Sequence, residues 1–275
     1  LPGNQEPITQ AYQNLIEQGA QLVLCPELVV SGYPPRDLLF KSRFVHDCRK
    51  VTESLAQKTG TVPLVIGFPE QNPSGRGRPF FNSAAWCQNG KILHYARKVL
   101  LPTYDVFDED RYFEPAESPL VVQWEGRRIG ITICEDIWVG PDIPTSRHYQ
   151  HDPVANLENQ SLDLVLNLSA SPWHFGKGKV REDLIRSAAR RCDCPVIYCN
   201  AVGGNDELIF DGQSLTCDGR GERLATFPSF AECIQIVDTR SVQEPLLEPL
   251  PDMEAAYRAL TLGLRDYAHK SGFRQ

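Results

Sequence analysis

Short apolar runs alternate with amphipathic stretches along almost the whole chain, and this alternation most constrains the fold. Runs rich in Val, Ile and Leu are typical of buried strands, whereas longer stretches with apolar residues every third or fourth position are typical of helices. The predicted strands are 21–25, 62–68, 83–88, 92–96, 128–134, 162–168, 196–200, 213–217 and 233–237, and the predicted helices are 7–18, 42–59, 145–159, 179–191 and 253–270. Such alternation favours one α/β domain in which helices cover sheets.

Two turn signals predict hairpins within this pattern. Asn89-Gly90 separates two predicted strands and suits a tight turn, because Asn and Gly tolerate positive φ. Asp218-Gly219, followed by another glycine at 221, indicates a second hairpin. Hairpins require antiparallel pairs, whereas strands joined through helices are parallel, so we expect mixed sheets.

Composition excludes several classes of protein. Of the 275 residues, 41% are apolar and 23% are charged, which are globular proportions. The net charge is −7 and basic residues form only short pairs, so we expect no nucleic-acid partner and no anionic membrane surface. No apolar stretch approaches the roughly 18–20 residues of a membrane span, and the first residues lack a secretory pattern. We therefore predict a cytoplasmic protein.

The nine cysteines predict neither a disulfide framework nor a metal site. Their number is odd and many lie in apolar runs, which is typical of buried thiols in a reducing compartment. Cys192 and Cys194 are separated by one residue, whereas zinc ligands usually have two to four residues between them. We expect no metal.

Three strand-like runs end on residues that could act together. One run ends at Glu27, a second is followed by Lys98, and a third ends at Cys134. Active sites of α/β proteins assemble at strand ends. A thiol is only a few per cent ionised at neutral pH, so a carboxylate base and an ammonium that stabilises negative charge would both help it attack a carbonyl. Each residue alone has a commoner interpretation, as a turn residue, a solvated lysine or a buried thiol.

Five segments carry a specific resemblance to a known family. They are PELVVSGYPPRDLL (26–39), NSAAWCQNGKILHYARKVLLPTYDVFDEDRYFEP (82–115), GITICEDIW (130–138), NLSASPWHFGK (167–177) and FDGQSLTCDGRGERLATFPSFAE (210–232). In this order they resemble the glutaminase domains of bacterial glutamine-dependent NAD+ synthetases, a branch of the nitrilase superfamily. The resemblance implies a four-layer αββα sandwich over residues 1–240.

The resemblance also implies catalytic roles for the three residues. Glu27 would take the proton of Cys134 and later activate water. Cys134 would attack the side-chain amide of L-glutamine and form a thioester. Lys98 would stabilise the oxyanion and help to protonate the departing ammonia.

Substrate-binding residues follow from the same resemblance. Tyr33, Tyr104, Ser171 and Lys177 match positions that line the pocket for the amino-acid end of glutamine, and the backbone N–H of Glu135 is expected to donate to the oxyanion. Lys177 stands where relatives have Arg, which keeps the charge but loses bidentate geometry toward a carboxylate. Loop packing for the tyrosines and a surface charge for the lysine remain alternatives.

An acidic segment close to Lys98 could add another carboxylate. Glu109 could orient Lys98, as a second carboxylate does in some superfamily members. Asp105 and Asp108 compete for that role, and a solvated acidic loop is the alternative. None of the three is counted in the triad.

Residues 241–275 are expected to form a linker arm and the first helix of a second domain. The arm SVQEPLLEPLP (241–251) has three prolines, and the helix 253–270 resembles the start of the family's synthetase domain. That domain would use ATP and Mg²⁺ to amidate nicotinic acid adenine dinucleotide with the ammonia. Its Ser-Gly-Gly-x-Asp loop is not found, and the similar VGGND (202–206) is predicted to be an ordinary loop.

The expected partners follow from this assignment. They are L-glutamine, the synthetase domain of the same full-length chain, and further copies of the chain in a homo-oligomer, while residues 1–240 are expected to hold no cofactor. The family opens with a strand before the Gly-Asn of its first helix, whereas this chain begins at Leu1-Pro2-Gly3-Asn4.

Two other functions remain open at this stage. A free-standing amidase of the nitrilase superfamily would use the same triad on another small amide. A non-catalytic scaffold is the third possibility, and the presence of all three triad residue types argues against it. Ser171 and Lys177 favour glutamine over other amides, because they suit an α-amino acid.

Overall fold

The computed structural model describes residues 2–140 and 149–273. Its α-helices are α1 (Pro2–Glu17), α2 (Phe44–Gln57), α3 (Pro153–Glu158), α4 (Lys177–Cys192) and α5 (Asp252–Lys270). Its strands are β1 (Val23–Leu24), β2 (Leu64–Gln71), β3 (Phe80–Gln88), β4 (Lys91–Arg97), β5 (Leu120–Trp124), β6 (Arg127–Ile133), β7 (Leu164–Ser169), β8 (Val196–Asn200), β9 (Val202–Asn205), β10 (Leu208–Asp211), β11 (Leu215–Cys217) and β12 (Arg223–Thr226).

The strands form two sheets and a separate hairpin. The first sheet has the order β1-β2-β3-β4 and the second has the order β12-β11-β8-β7-β6-β5, while β9 and β10 form a two-stranded hairpin. β1 is parallel to β2, and β6, β7 and β8 are parallel to one another; all other pairs are antiparallel. The expectation of mixed sheets is confirmed. Both predicted hairpins are also present, and Asn89 has a φ of 53° in the first.

Three of the four buried cores among the described residues separate four layers. Tyr12 of α1 and Leu55 of α2 pack with Ile66 on the outer face of the first sheet. Trp86 and Trp124 meet between the two sheets, with ring centroids 6.1 Å apart. A third core joins the second sheet to α3 and α4. This arrangement is the predicted αββα sandwich, and it covers both faces of the central strands, whereas most of the edge strand β4 is exposed.

The side-chain alternation of a strand explains how β2 serves two cores. Val65 lies in the core between the sheets, whereas Leu64 and Ile66 lie in the core under the helices. Successive side chains of a strand point to opposite faces, so an unbroken apolar run is what a doubly covered strand needs.

Some sequence predictions are wrong. Residues 233–237 form no strand, although four of the five are apolar, and Ile234 is 63% exposed. The VGGND segment is not a loop throughout, since 202–205 form β9. Strands β5, β10 and β12 were not predicted. Of the predicted helix 145–159, residues 145–148 lie outside the described residues, and α3 accounts for part of the remainder.

Helix α5 packs on the β9–β10 hairpin. A Cβ on Gly204 would lie 3.2 Å from the Cα of Gly263, so the absence of a side chain lets the two backbones approach. The Gly204 N–H donates to Asp266 at 2.8 Å, and Lys270 Nζ donates to the Gly204 carbonyl at 2.6 Å. The assignment of residues 241–275 to a second domain stays a prediction. Among the described residues, no helix is both long and apolar enough to cross a bilayer.

Candidate active site

Strand ends from both sheets meet at one place. Glu27 follows β1 and Lys98 follows β4 in the first sheet, while Cys134 follows β6 in the second. Gly67 of β2 makes room for the Glu27 turn: a Cβ there would lie 2.3 Å from the Leu28 nitrogen. The sandwich therefore brings together residues that are far apart in the sequence.

Lys98 is held between two buried carboxylates. Its Nζ donates to Oε1 of Glu27 and to Oε1 of Glu109, each at 2.7 Å. Glu27 also accepts from Asn82 Nδ2 at 2.7 Å and from the Ala170 N–H at 2.8 Å. The exposed fractions of the Lys98, Glu27 and Glu109 side chains are 0%, 0% and 5%. Charge-assisted bonds in such a dry setting fix the carboxylate and the ammonium firmly.

Burial and charge shift the pKa values of this cluster. Burial alone would lower the pKa of Lys98, but Glu109 and Glu27 outweigh it and raise that pKa well above the ordinary value. Burial raises the pKa of Glu109 to about 7, with Lys98 opposing and Glu27 adding to the rise. Lys98 therefore keeps its charge at neutral pH, whereas Glu109 is close to its titration point.

Cys134 occupies a strained turn between a strand and a short 3-10 helix. It begins the helical segment Cys134–Ile137 with a φ of 43°, which is unusual for a residue with a side chain. Such strain is common at functional sites. Burial and then Glu27 raise the pKa of the thiol, and Lys98 opposes them. The thiol is therefore protonated at neutral pH, so it needs a base to become a nucleophile.

The next residue, Glu135, has a buried carboxylate held by two tyrosines. It is 3% exposed. Its carboxylate accepts hydrogen bonds from the hydroxyl of Tyr149 at 2.6 Å and from that of Tyr104 at 3.1 Å. Burial and Glu135 raise the pKa of Tyr104, so this hydroxyl remains a donor over the physiological range.

Lys177 is a buried ammonium without a carboxylate partner among the described residues. It is 6% exposed at the start of α4, and no hydrogen bond or ion pair joins its Nζ to another described residue. Its Nζ lies 5.2 Å from the ring centroid of Trp138 and 5.6 Å from that of Phe107. Burial lowers the pKa of Lys177, while Cys134 opposes this effect. A buried cation that forms no ion pair with another described residue is a ready site for the anionic group of a ligand.

The other two predicted pocket residues lie close to the cluster. The backbone N–H of Ser171 donates to Asn200 Oδ1 at 2.9 Å, one residue after the Ala170 N–H that holds Glu27. The Tyr33 hydroxyl donates to Glu109 at 2.8 Å. Tyr33 is thus a donor to the carboxylate that contacts Lys98.

Three polar groups of this site are not fixed by the sequence alone: Glu109, Asn82 and the carboxylate of Glu135. Glu109 contacts Lys98, whereas Asp105 and Asp108 are exposed, so the choice among the three acidic residues falls on Glu109. Asn82 has no sequence signal, because nothing in an apolar strand distinguishes an amide that meets a distant carboxylate. For Glu135 the sequence predicts a role of the backbone N–H alone, whereas the structure also shows a buried carboxylate. Within the described ranges, no group of three or more His, Cys, Asp and Glu side chains could hold a metal ion.

The chain is similar to known proteins in sequence and in fold. Residues 1–244 match the carbon-nitrogen hydrolase family. The chain is 39% identical to the glutamine-dependent NAD+ synthetase of Synechocystis sp., over 98% of this chain and 50% of that protein. It superposes on the glutamine-dependent NAD+ synthetase of Acinetobacter baumannii, solved with ADP, with a TM-score of 0.86 at 33% identity, covering 98% of this chain and 49% of that one.

A more distant solved relative is shorter. An amidase from Nesterenkonia sp. superposes with a TM-score of 0.67 at 26% identity, covering 82% of this chain and 80% of that one. The chain therefore spans about half the length of the synthetases that it resembles and most of the length of the amidase.

Proposed function

The chain belongs to the carbon-nitrogen hydrolase family, and on that premise we propose that it is a glutamine amidohydrolase that releases ammonia through a Cys134 thioester. The observation that carries the proposal is the pair of buried, oppositely charged groups next to the thiol. Glu135 and Lys177 are 3% and 6% exposed, and neither is paired with the other.

This charge pair suits the α-amino acid end of glutamine. The Glu135 carboxylate would accept hydrogen bonds from the α-ammonium group, and Lys177 would bind the α-carboxylate. The backbone turn at Ser171 and the hydroxyls of Tyr33 and Tyr104 would line the space between these ends. A simple aliphatic amide would leave the Lys177 ammonium buried without an anionic partner and would give the Glu135 carboxylate no cation, which is unfavourable.

The acylation step uses the cluster beside the thiol. Glu27 takes the proton of Cys134 as the sulfur attacks the side-chain carbonyl carbon and a C–S bond forms. The oxyanion accepts hydrogen bonds from Lys98 Nζ and from the Glu135 N–H. When the C–N bond breaks, the nitrogen receives the proton from Glu27 and leaves as ammonia, so the thioester forms without net proton transfer to solvent.

Deacylation reverses these roles. Water replaces ammonia, and Glu27 removes a proton from it as it attacks the thioester carbon. The C–S bond then breaks, the sulfur regains a proton from Glu27, and glutamate departs. The short contacts that Glu27 makes with Lys98, Asn82 and Ala170 keep its carboxylate in place for both steps.

The relatives suggest where the ammonia goes. The synthetases are glutamine-dependent and about twice as long as this chain, and one was solved with ADP. We propose that the ammonia serves ATP- and Mg²⁺-dependent amidation of nicotinic acid adenine dinucleotide to NAD+ in a synthetase domain of the full-length chain. Residues 241–275 would be the arm and first helix leading into that domain.

A free-standing amidase is the second candidate, because the chain covers 80% of the length of the Nesterenkonia enzyme. The two functions differ in their use of Glu135 and Lys177. An amidase acting on a simple amide would gain nothing from these charges, whereas a glutaminase would depend on both.

Ammonia release distinguishes the two. The chain is supplied with L-glutamine, L-asparagine or propionamide, and ammonia is measured for wild type and Cys134→Ala. Glutamine-selective release that the substitution abolishes is expected. Equal or faster release from propionamide would refute the glutaminase in favour of the amidase. Release that survives in Cys134→Ala would refute the thiol mechanism.

A further inference from the structure

The side chain of Asp136 joins the two segments that carry Lys98 and Cys134. It is 1% exposed. Its Oδ1 accepts hydrogen bonds from the N–H groups of Val99 and Leu100, both at 2.9 Å. Its Oδ2 accepts one at 2.8 Å from the N–H of residue 133. One carboxylate therefore bonds to the two residues after Lys98 and to the residue before Cys134.

These bonds cross from one sheet to the other. Lys98 follows β4 of the first sheet, and Cys134 follows β6 of the second. The sheets meet mainly through apolar side chains. Dispersion contacts resist separation but have little directional preference, whereas hydrogen bonds are directional and fix relative position. Asp136 thus locks the relative position of the two strand ends.

We infer that Asp136 is a positioning residue that sets the place of Lys98 Nζ relative to Cys134 Sγ for the reaction. The inference rests on the proposed function, because it assumes that these two groups act together. A displacement of about 1 Å between reacting groups can cost up to ~10² in rate. Asp136 contacts neither group through its own side chain, so it acts through the backbone of their neighbours.

The carboxylate is suited to accept three bonds. Burial raises the pKa of Asp136 to about 6, and hydrogen bonds from three backbone N–H groups oppose that rise. The group is therefore mostly ionised at neutral pH, and both of its oxygens can accept. An asparagine in its place keeps one acceptor oxygen and turns the other into a donor that faces another donor.

The test measures the reactivity of Cys134 without any need for glutamine. Alkylation by chloroacetamide, a small neutral electrophile, is followed by peptide mass spectrometry in wild type, Asp136→Asn, Lys98→Gln and the double variant. Glutamine kcat and KM are measured in parallel, and circular dichroism confirms folding. Glu182→Gln is the matched control, because Glu182 is a half-buried, ion-paired carboxylate on α4 outside the site.

We expect Asp136→Asn to slow alkylation about tenfold and to lower kcat similarly, with KM changed less than about twofold. In the Lys98→Gln background the same substitution should have almost no effect, because it acts through Lys98. Unchanged alkylation in folded Asp136→Asn, or an equal loss in both backgrounds, would overturn the inference. A wild type that is alkylated yet does not hydrolyse glutamine would count against the proposed function alone.

If Asp136→Asn does not fold, a second variant tests the same inference. Replacing the Val99 amide with an ester removes one donor and leaves every side chain in place. Slower alkylation of Cys134 is expected, and an unchanged rate would contradict the positioning role.

Discussion

Replacing Lys177 with methionine should raise stability and weaken glutamine hydrolysis. The ammonium is buried with no carboxylate partner among the described residues, so removing it relieves an uncompensated charge. We expect the free energy of unfolding to rise by roughly 1 kcal/mol, or about 2 °C in Tm for a chain of this size. A hydrogen bond to a charged group contributes about 1.5–3 kcal/mol, so kcat/KM for glutamine should fall roughly 10- to 150-fold.

The assay combines thermal unfolding with glutaminase kinetics, and the chain offers a matched control. Lys179→Met lies two residues along the same helix at a side chain that is 83% exposed, and it should change neither quantity appreciably. Glutamine affinity that survives in Lys177→Met, or a loss of stability there, would refute the assignment of Lys177 to the substrate carboxylate.

Lys177 should also make the free energy of unfolding depend on pH, in a direction that its lowered pKa fixes. Burial lowers the pKa of Lys177 from 10.5, so the unfolded chain retains a proton that the native chain has lost between the lowered pKa and 10.5. The free energy of unfolding of wild type should therefore gain a contribution as pH rises through that window. Lys177→Met should lack this contribution, and a difference between the two proteins that does not vary with pH would contradict the burial argument.

Three further predictions concern the base, the second carboxylate and the ammonium-binding end. Gly67→Ala should lower the free energy of unfolding in denaturant by about 1–3 kcal/mol and remove much of the activity, since the new Cβ would lie 2.3 Å from the Leu28 nitrogen. Gly60→Ala is the control and should be nearly neutral, because nothing lies within 4 Å of a Cβ there. Similar losses in both variants would count against the packing argument. The pKa of Glu109 is raised from 4.5 to about 7, so the free energy of unfolding should fall as pH rises through that range. Glu109→Gln should flatten this part of a plot of urea midpoint against pH. The same slope in the variant and in wild type would contradict the pKa shift. Glu135→Gln should raise the glutamine KM roughly tenfold with little change in the rate of Cys134 alkylation by chloroacetamide, and an unchanged KM would exclude its carboxylate from substrate binding.

The sequence predicted elements best where local pattern and tertiary packing agree. Strand 196–200 has the same bounds in the prediction and in the structure, because its apolar residues are buried on one face of the second sheet and partly buried on the other. The prediction of a strand at 233–237 failed because a short apolar run does not by itself supply a neighbouring strand. The β9 strand was missed because Gly203 and Gly204 have low strand propensity, and its pairing partner and α5 stabilise it through tertiary contacts.

The residues of the candidate site likewise fall into those that the sequence predicts and those that only the folded structure reveals. The prediction of Glu27, Lys98 and Cys134 rested on strand ends and on the family resemblance, and the structure places Glu27 and Lys98 2.7 Å apart. Asn82 and Asp136 could not be predicted, because their significance comes from hydrogen bonds to segments distant in sequence. The exposure of Asp105 and Asp108 separates them from Glu109, and burial is a property of the folded chain.

Trapping of the covalent intermediate is the most direct test of catalysis by Cys134. The chain is quenched with acid during turnover of L-glutamine, and its peptides are analysed by mass spectrometry. We predict a γ-glutamyl thioester on Cys134, which is absent with L-asparagine and absent in Cys134→Ala. Ammonia release from glutamine with no adduct on Cys134, or an adduct on another of the nine cysteines, would contradict it.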